Sequence, residues 1–456
     1  MSFLDQNYLL GTPAAAKLWN EVAALPVIDP HNHADVKRIA DNVPFSDPWE
    51  LFAATDHYVW EMLRKRGIPE DLITGDASNY DKWMAMAEVF PMLAGNPVYE
   101  WVHLDLRFLG FNGILLSGAT GKQLWDGCCA ALAKEENLPQ NLVRRMNIEA
   151  MCSTDDPVDT LADHARANAA FGKTLIRPTW RPDRVMKIRK ADFSAYLKAL
   201  GTRWDIEIQS LNDLQEALKR SHDFFAASGA IASDHGVEKP YDGAVTYAAA
   251  DSILKKVLSG KEATAAEEDA WSSFLMHYFA MLDAEKGWVF QLHMGAVRDV
   301  RDTLYHTLGP DSGGDVSDHM VDIVKPLCRF LNQFDGSLKV ALYCLEPHHQ
   351  ASLATVARSF GTTVRLGSAW WFNDTPVGMQ RQLEYISTVD LLSAFAGMVS
   401  DSRKLLSYAS RFEMFRRVLC GVVGAMVEQG RIPEEIATDL VRAMCYSEPK
   451  KFFNLP

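Results

Sequence analysis

The run Val27-Ile28-Asp29-Pro30-His31-Asn32-His33 closes a short apolar stretch with two histidines two residues apart. Strand side chains alternate with period two, so His31 and His33 project to one side. Two imidazoles at one strand end can share a divalent metal. A carboxylate such as Asp401 would complete a three-ligand set that leaves room for substrate. Read alone, the pair fits a polar loop equally well. Other residue types widen the chemistry. His293 serves as a further ligand or as a hydrogen-bond partner of the substrate. Arg403, two residues beyond Asp401, and Arg181, in a loop stiffened by Pro178 and Pro182, can each clamp a carboxylate. His57 and Tyr58 open a helical run, where a His beside a Tyr can move protons.

These residues need elements to bring them together. Eight short apolar runs are strand-like: 25–29, 148–153, 174–179, 230–233, 288–292, 339–345, 363–367 and 396–400. Most are continuous rather than alternating, as parallel strands buried on both faces require. Helical patterns separate them, at 213–220, 264–284, 321–334 and 379–385, and Thr264 with Glu267 forms a capping-box start. The alternation predicts a distorted (β/α)8 TIM barrel, whose active site lies at the C-terminal strand ends. In order, those ends carry His31/His33, Asp155/Asp156, Arg181, Asp234/His235, His293, Glu346/His348/His349, Trp370/Trp371 and Asp401/Arg403. Residues 35–145 hold helical patterns at 56–66, 81–90 and 122–135. They read as a helical insertion subdomain on the catalytic rim, the barrel being 1–34 and 146–456. Residues 309–315, rich in Gly, Pro and Asp, read as a rim loop.

Composition narrows the class. The 456 residues are 48% hydrophobic and 23% charged, as in globular enzymes. A net charge of −13 argues against nucleic acid as a partner. A small anion remains admissible, because a few arginines reverse the field in a cleft. Seven cysteines without a CxxC pair give neither a disulfide framework nor a thiolate zinc site, and a reducing cytoplasm fits. Met1-Ser2-Phe3-Leu4-Asp5 lacks a basic, then apolar, leader. No apolar run approaches the ~18–20 residues of a membrane span. Self-association into a homo-oligomer is left open.

In this order the residues resemble the uronate isomerase (glucuronate/galacturonate isomerase) family of the amidohydrolase superfamily. The resemblance covers nearly the whole chain. It rests on Asp29-Pro30-His31-Asn32-His33, Asp56-His57-Tyr58, Asn96-Pro97-Val98-Tyr99-Glu100-Trp101, Ser153-Thr154-Asp155-Asp156-Pro157, Arg181-Pro182-Asp183, Gln291-Leu292-His293-Met294-Gly295, Gly367-Ser368-Ala369-Trp370-Trp371-Phe372-Asn373-Asp374 and Ser400-Asp401-Ser402-Arg403. It implies a barrel with a helical insert, one divalent metal, usually Zn2+, and an aldose–ketose shift on a small sugar acid. D-glucuronate would give D-fructuronate, and D-galacturonate would give D-tagaturonate. By the same resemblance His31, His33 and Asp401 are metal ligands and His57 and Tyr58 transfer protons. Arg181 and Arg403 then stabilise substrate and intermediate, and Trp370 and Trp371 wall the pocket. The chain departs from the family's pattern at 297–302, at 346–350 and from Lys404 to Met414, all on the rim where the uronate would be read. The metal set by itself also suits a metal-dependent hydrolase or another uronate-converting enzyme on the amidohydrolase scaffold, and a non-catalytic sugar-acid-binding protein is the remote third reading.

Overall fold

Among the described residues seven parallel strands curl into one sheet: β1 (Val27–Asp29), β2 (Ile148–Asp155), β3 (Ile176–Trp180), β4 (Ala232–Val237), β5 (Val289–Met294), β8 (Lys339–Cys344) and β9 (Val364–Leu366), in the order β1-β2-β3-β4-β5-β8-β9. A two-residue antiparallel ribbon, β6 (Ala296–Val297) with β7 (Val316–Ser317), stands apart from it on the rim. The computed structural model describes residues 3–456; Met1 and Ser2, part of the stretch read above for a leader, lie outside the described residues. The strands are apolar and buried on both faces because helices cover the outside of the sheet and side chains fill its inside. β4, β5 and β8 run in continuous register, with Asp234 opposite Gln291 and His293 opposite Tyr343. That register brings the side chains of Asp234 and His293 together.

The eighth run departs from expectation. Residues 396–400 form no regular strand, because the backbone bends at Gly397 (φ 118°) and again at Asp401 (φ 44°). The segment still closes the sheet. The Ala396 amide donates to the Leu366 carbonyl at 3.0 Å and the Asp401 amide to the His31 carbonyl at 3.2 Å. The His33 amide donates to the Ser402 carbonyl at 3.1 Å. Side chains supply the remaining bonds: the carboxylate of Asp29 accepts from the Ser400 amide at 3.0 Å and from its hydroxyl at 2.6 Å. The first and last strand positions are thus joined, so His31, His33 and Asp401 share one rim.

Between β1 and β2 the chain is helical, including His57–Lys65, Asn79–Val89, Pro97–Phe108 and Gly121–Leu132. The first three starts follow local chemistry. Asp56, Ser78 and Asn96 accept amide hydrogen bonds as N-caps, and Pro97 occupies the first turn. The capping box at Thr264 and Glu267 starts Ala265–Lys286 as expected. A second box, Ser210 with Asp213, starts Leu211–Ala227 ahead of its apolar stripe. The long helix Ser407–Glu428 runs through the core. Its buried Arg416 donates to the carbonyls of Leu25 and Pro26 at 2.9 and 2.8 Å, fixing the entry to β1. Among the described residues no helix is long and apolar enough to cross a membrane.

Candidate metal centre and active site

A cavity of about 980 Å³ opens at the C-terminal ends of the strands. His31, His33, His57, Arg181, His293, Trp370, Trp371, Asp401 and Arg403 all line it. At its floor one oxygen of Asp401 lies 2.9 Å from His31 Nε2 and 3.2 Å from His33 Nε2. Its other oxygen accepts from the Trp370 indole N–H. The carboxylate is aimed by an unusual backbone, since Asp401 sits in the left-handed region. Burial alone would raise the Asp401 pKa; the hydrogen bonds and charges of His31 and His33 outweigh it and hold the group well below the usual carboxylate range.

A second carboxylate, Asp234, to which the sequence gives a place at the fourth strand end but no role, is fully buried. Its oxygens lie 2.8 Å from His293 Nδ1, 3.5 Å from His31 Nδ1 and 3.2 Å from Arg181 Nη1. The sequence offers one signal, an acid at a strand end inside an apolar run, but no hint of its partners. Burial opposes ionisation of Asp234, and Arg181, His31 and His293 overcome it, keeping it anionic. Burial also opposes protonation of His31, yet Asp234 and Asp401 raise its basicity. A more basic imidazole is also a better ligand.

Among the described residues two three-residue groups have the spacing to hold a cation: His31/His33/Asp401 and His31/Asp234/His293. They are not equivalent. In the second, the Arg181 guanidinium already neutralises Asp234. In the first, both imidazole nitrogens converge on a single carboxylate oxygen at the cavity floor with no other cation in contact. The donor set of two nitrogens and one carboxylate suits Zn2+ with an open position.

The arginines differ in the same way. Arg181 is bound by Asp183 at 2.8 Å as well as by Asp234, and a Cβ at Gly236 would collide with its guanidinium. Glycine at 236 therefore lets Arg181 lie against the strand. Arg298 is paired with Asp315 at 2.8 Å and covers the Trp371 ring at 4.9 Å. Among the described residues Arg403 is the cavity arginine with no carboxylate in ion-pair range, so it is free to take an anion.

His57 lines the cavity, and burial lowers its pKa to about 4, so it is neutral at pH 7. Its ring stacks on Tyr58 at 4.9 Å and meets Trp371 edge-on at 5.3 Å. Tyr58 itself stands behind His57, outside the cavity lining. Its hydroxyl donates to Asp374, at 3.1 and 3.2 Å from the two oxygens, and Arg411 Nη1 donates to the same carboxylate at 2.6 Å. The sequence shows Asp374 only as the end of a motif and gives neither it nor Arg411 a role.

On the rim, Glu61 faces the 309–315 loop, where a Cβ at Gly313 would press on its side chain. Burial and the charges of Asp315 and Asp56 raise Glu61 to about 8. The folded chain therefore binds a proton that the unfolded chain has released above its ordinary pKa of 4.5. Stability from this group is present below pH 4.5 and is lost as pH rises to about 8. Glu61→Gln is expected to flatten the fall in Tm between pH 5 and 8 and to raise Tm above the parent at pH 8.5, read by a thermal melt series.

Comparison with known proteins agrees with this geometry. A sequence profile of the glucuronate isomerase family matches residues 1–453. The uronate isomerase of Thermotoga neapolitana is 48% identical over 452 residues, covering 99% of each chain. The crystal structure of uronate isomerase from Thermotoga maritima superposes with a TM-score of 0.97 at 46% identity, covering 99% of this chain and 100% of that one. Glucuronate isomerase from Caulobacter crescentus gives 0.94 at 26% identity, covering 100% of this chain and 97% of that one. The barrel-like sheet, the shared rim and the full-length match lead to one assignment: this chain belongs to the glucuronate isomerase family.

Proposed function

We propose that this enzyme is a uronate isomerase, interconverting D-glucuronate with D-fructuronate, D-galacturonate with D-tagaturonate, or both. The observation that carries the reading is the company of His57 and Arg403. A neutral imidazole and an unpaired guanidinium share one cavity with a His31/His33/Asp401 centre. An aldose–ketose shift moves a proton from C2 to C1 through an enediol(ate), which needs a base and a fixed positive partner for the oxyanion. In the proposed division His57 accepts and returns the proton, and Arg403 holds the anionic intermediate. Arg181 and His293 orient the open-chain sugar acid against the Trp370/Trp371 wall. Tyr58 acts through His57, stacked on it and fixed by Asp374. His31, His33 and Asp401 would hold a divalent metal, Zn2+ by donor type, which when bound polarises a substrate oxygen.

Two further assignments rest on the same reading. Residues 35–145 form an insertion subdomain and 1–34 with 146–456 the barrel, supported by the unbroken run of helices between β1 and β2. A cytoplasmic setting is supported by the seven free cysteines. The test is a ketose assay on both uronates in D2O, with the chain metal-replete and after chelation. Expected are ketose product, deuterium at C2 of recovered uronate, loss of turnover on chelation and recovery with Zn2+. No ketose from either uronate in the metal-replete chain overturns the reading.

A further inference from the structure

Behind the cavity wall lies a buried cation that the catalytic reading does not use. Lys404 follows Arg403, and the two side chains point opposite ways: Arg403 is exposed in the cavity and Lys404 is buried. The Lys404 ammonium lies 3.0 Å from Asp105 Oδ2, on the helix Pro97–Phe108, and 3.5 Å from Asp56 Oδ2. All three side chains are at least 95% buried. A buried ammonium is expensive unless paired, and ion pairs seldom gain over an apolar core. Its partners point to a geometric role rather than to a gain in stability.

Asp56 supplies that role through its two oxygens. One accepts the Tyr58 amide at 3.1 Å and caps the helix His57–Lys65; the other faces Lys404. The first residue of that helix is His57. On the other side, the Lys404 amide donates to Ser402 Oγ at 3.1 Å, in the segment that carries Asp401 and Arg403. Lys404 therefore connects the two pieces of chain whose relative position sets the distance between His57 and Arg403.

We infer that Lys404 is a positioning residue for the isomerisation: its ammonium locks the Asp56 cap, and with it His57, onto the Asp401–Arg403 segment. The inference rests on the assignment of His57 as a proton-transfer group. Asp105 is the counter-ion that makes the buried ammonium tolerable, and it touches neither piece of the catalytic geometry.

The test uses the full-length, Zn2+-loaded chain with D-glucuronate or, if that is not turned over, D-galacturonate. Lys404→Met is expected to lower kcat by about 10–100-fold with KM within about threefold, as a misplacement near 1 Å does. Lys404→Met with Asp105→Asn removes the ammonium and its nearer counter-ion, leaves Asp56 on its Tyr58 cap, and is expected to recover much of the lost Tm while kcat stays low. This double variant decides the matter even where the single one folds poorly. In an Asp56→Asn background, Lys404→Met should add less than about threefold, because both changes break one link. Parental kcat in the double variant, or full additivity with Asp56→Asn, overturns the inference. His57→Ala is the separate control: parental turnover there removes the reading of His57, whereas an inactive His57→Ala beside an active double variant removes only the role of Lys404.

Discussion

Asp401→Asn is expected to lower kcat/KM by about three orders of magnitude and to leave the purified chain metal-poor. One anionic oxygen of Asp401 is shared by His31 and His33, at 2.9 and 3.2 Å, and the other takes the Trp370 N–H. An amide keeps the shape but removes the charge and turns one end into a donor. Facing the indole N–H, that end sets donor against donor; facing the imidazoles, it offers no lone pair where the anionic oxygen stood. Loss of a charged ligand together with the electrostatic support of a developing oxyanion amounts to roughly 4 kcal/mol, or ~10³-fold in rate. Metal content by elemental analysis, read beside the ketose assay, checks both halves. Asp234→Asn supplies the contrast. Because Arg181 already neutralises Asp234, metal content should hold while turnover falls. Loss of metal in Asp234→Asn with retention in Asp401→Asn would move the centre to the His31/Asp234/His293 group.

Arg411→Met is expected to be the most destabilising single change near the site. Arg411 and Asp374 are almost completely buried, and Arg411 also donates to the Ser400 carbonyl at 3.0 Å. Its guanidinium lies over the Trp101 ring at 4.2 Å and the Tyr58 ring at 4.9 Å. Removing one member of a buried pair strands the other and costs about 3–5 kcal/mol. With an unfolding entropy near 2.1 cal/mol/K per residue, that is a drop of roughly 3–5 °C in Tm for cooperative melting of a chain this long. Arg411→Met with Asp374→Asn should recover much of the loss, since the stranded charge is gone and the Tyr58 hydroxyl keeps an acceptor. Calorimetry on the parent, the single and the double variant decides it; a single variant as stable as the parent would show that Asp374 is not held as an anion.

The two experiments bear on residues of different visibility. His31, His33 and Asp401 were legible because strand period, apolar runs and barrel closure are local patterns with a known spatial consequence. The first and last strand ends of a barrel are neighbours, so a pair 370 residues apart could be matched in advance. Asp234 was legible only as an acid at a strand end. Asp374, Arg411 and Lys404 lie in stretches whose periodicity says helix or loop and nothing about partners. Tyr58 shows the limit most clearly. Its place beside His57 suggests a proton carrier, yet its hydroxyl is committed to Asp374, 316 residues away, on the far side of the cavity wall.

The eighth strand marks the same boundary at the level of fold. An apolar run at 396–400 has the composition of a strand. A β-ladder, however, needs a partner edge in register, and the bends at Gly397 and Asp401 trade ladder bonds for the carboxylate of Asp29 and the aim of Asp401. The sequence by itself therefore determined the alternation of strands and helices, the helical stretch after β1, the family and the residue types at the rim. The elements follow from hydrophobic period, caps and turns within a few residues, and the family from the resemblance of its motifs. Only the tertiary structure decided that Asp234 stands beside His31 and His293, which arginine stays unpaired and which buried cations stand behind His57. Burial and charge pairing are set by neighbours in space, hundreds of residues apart in the chain.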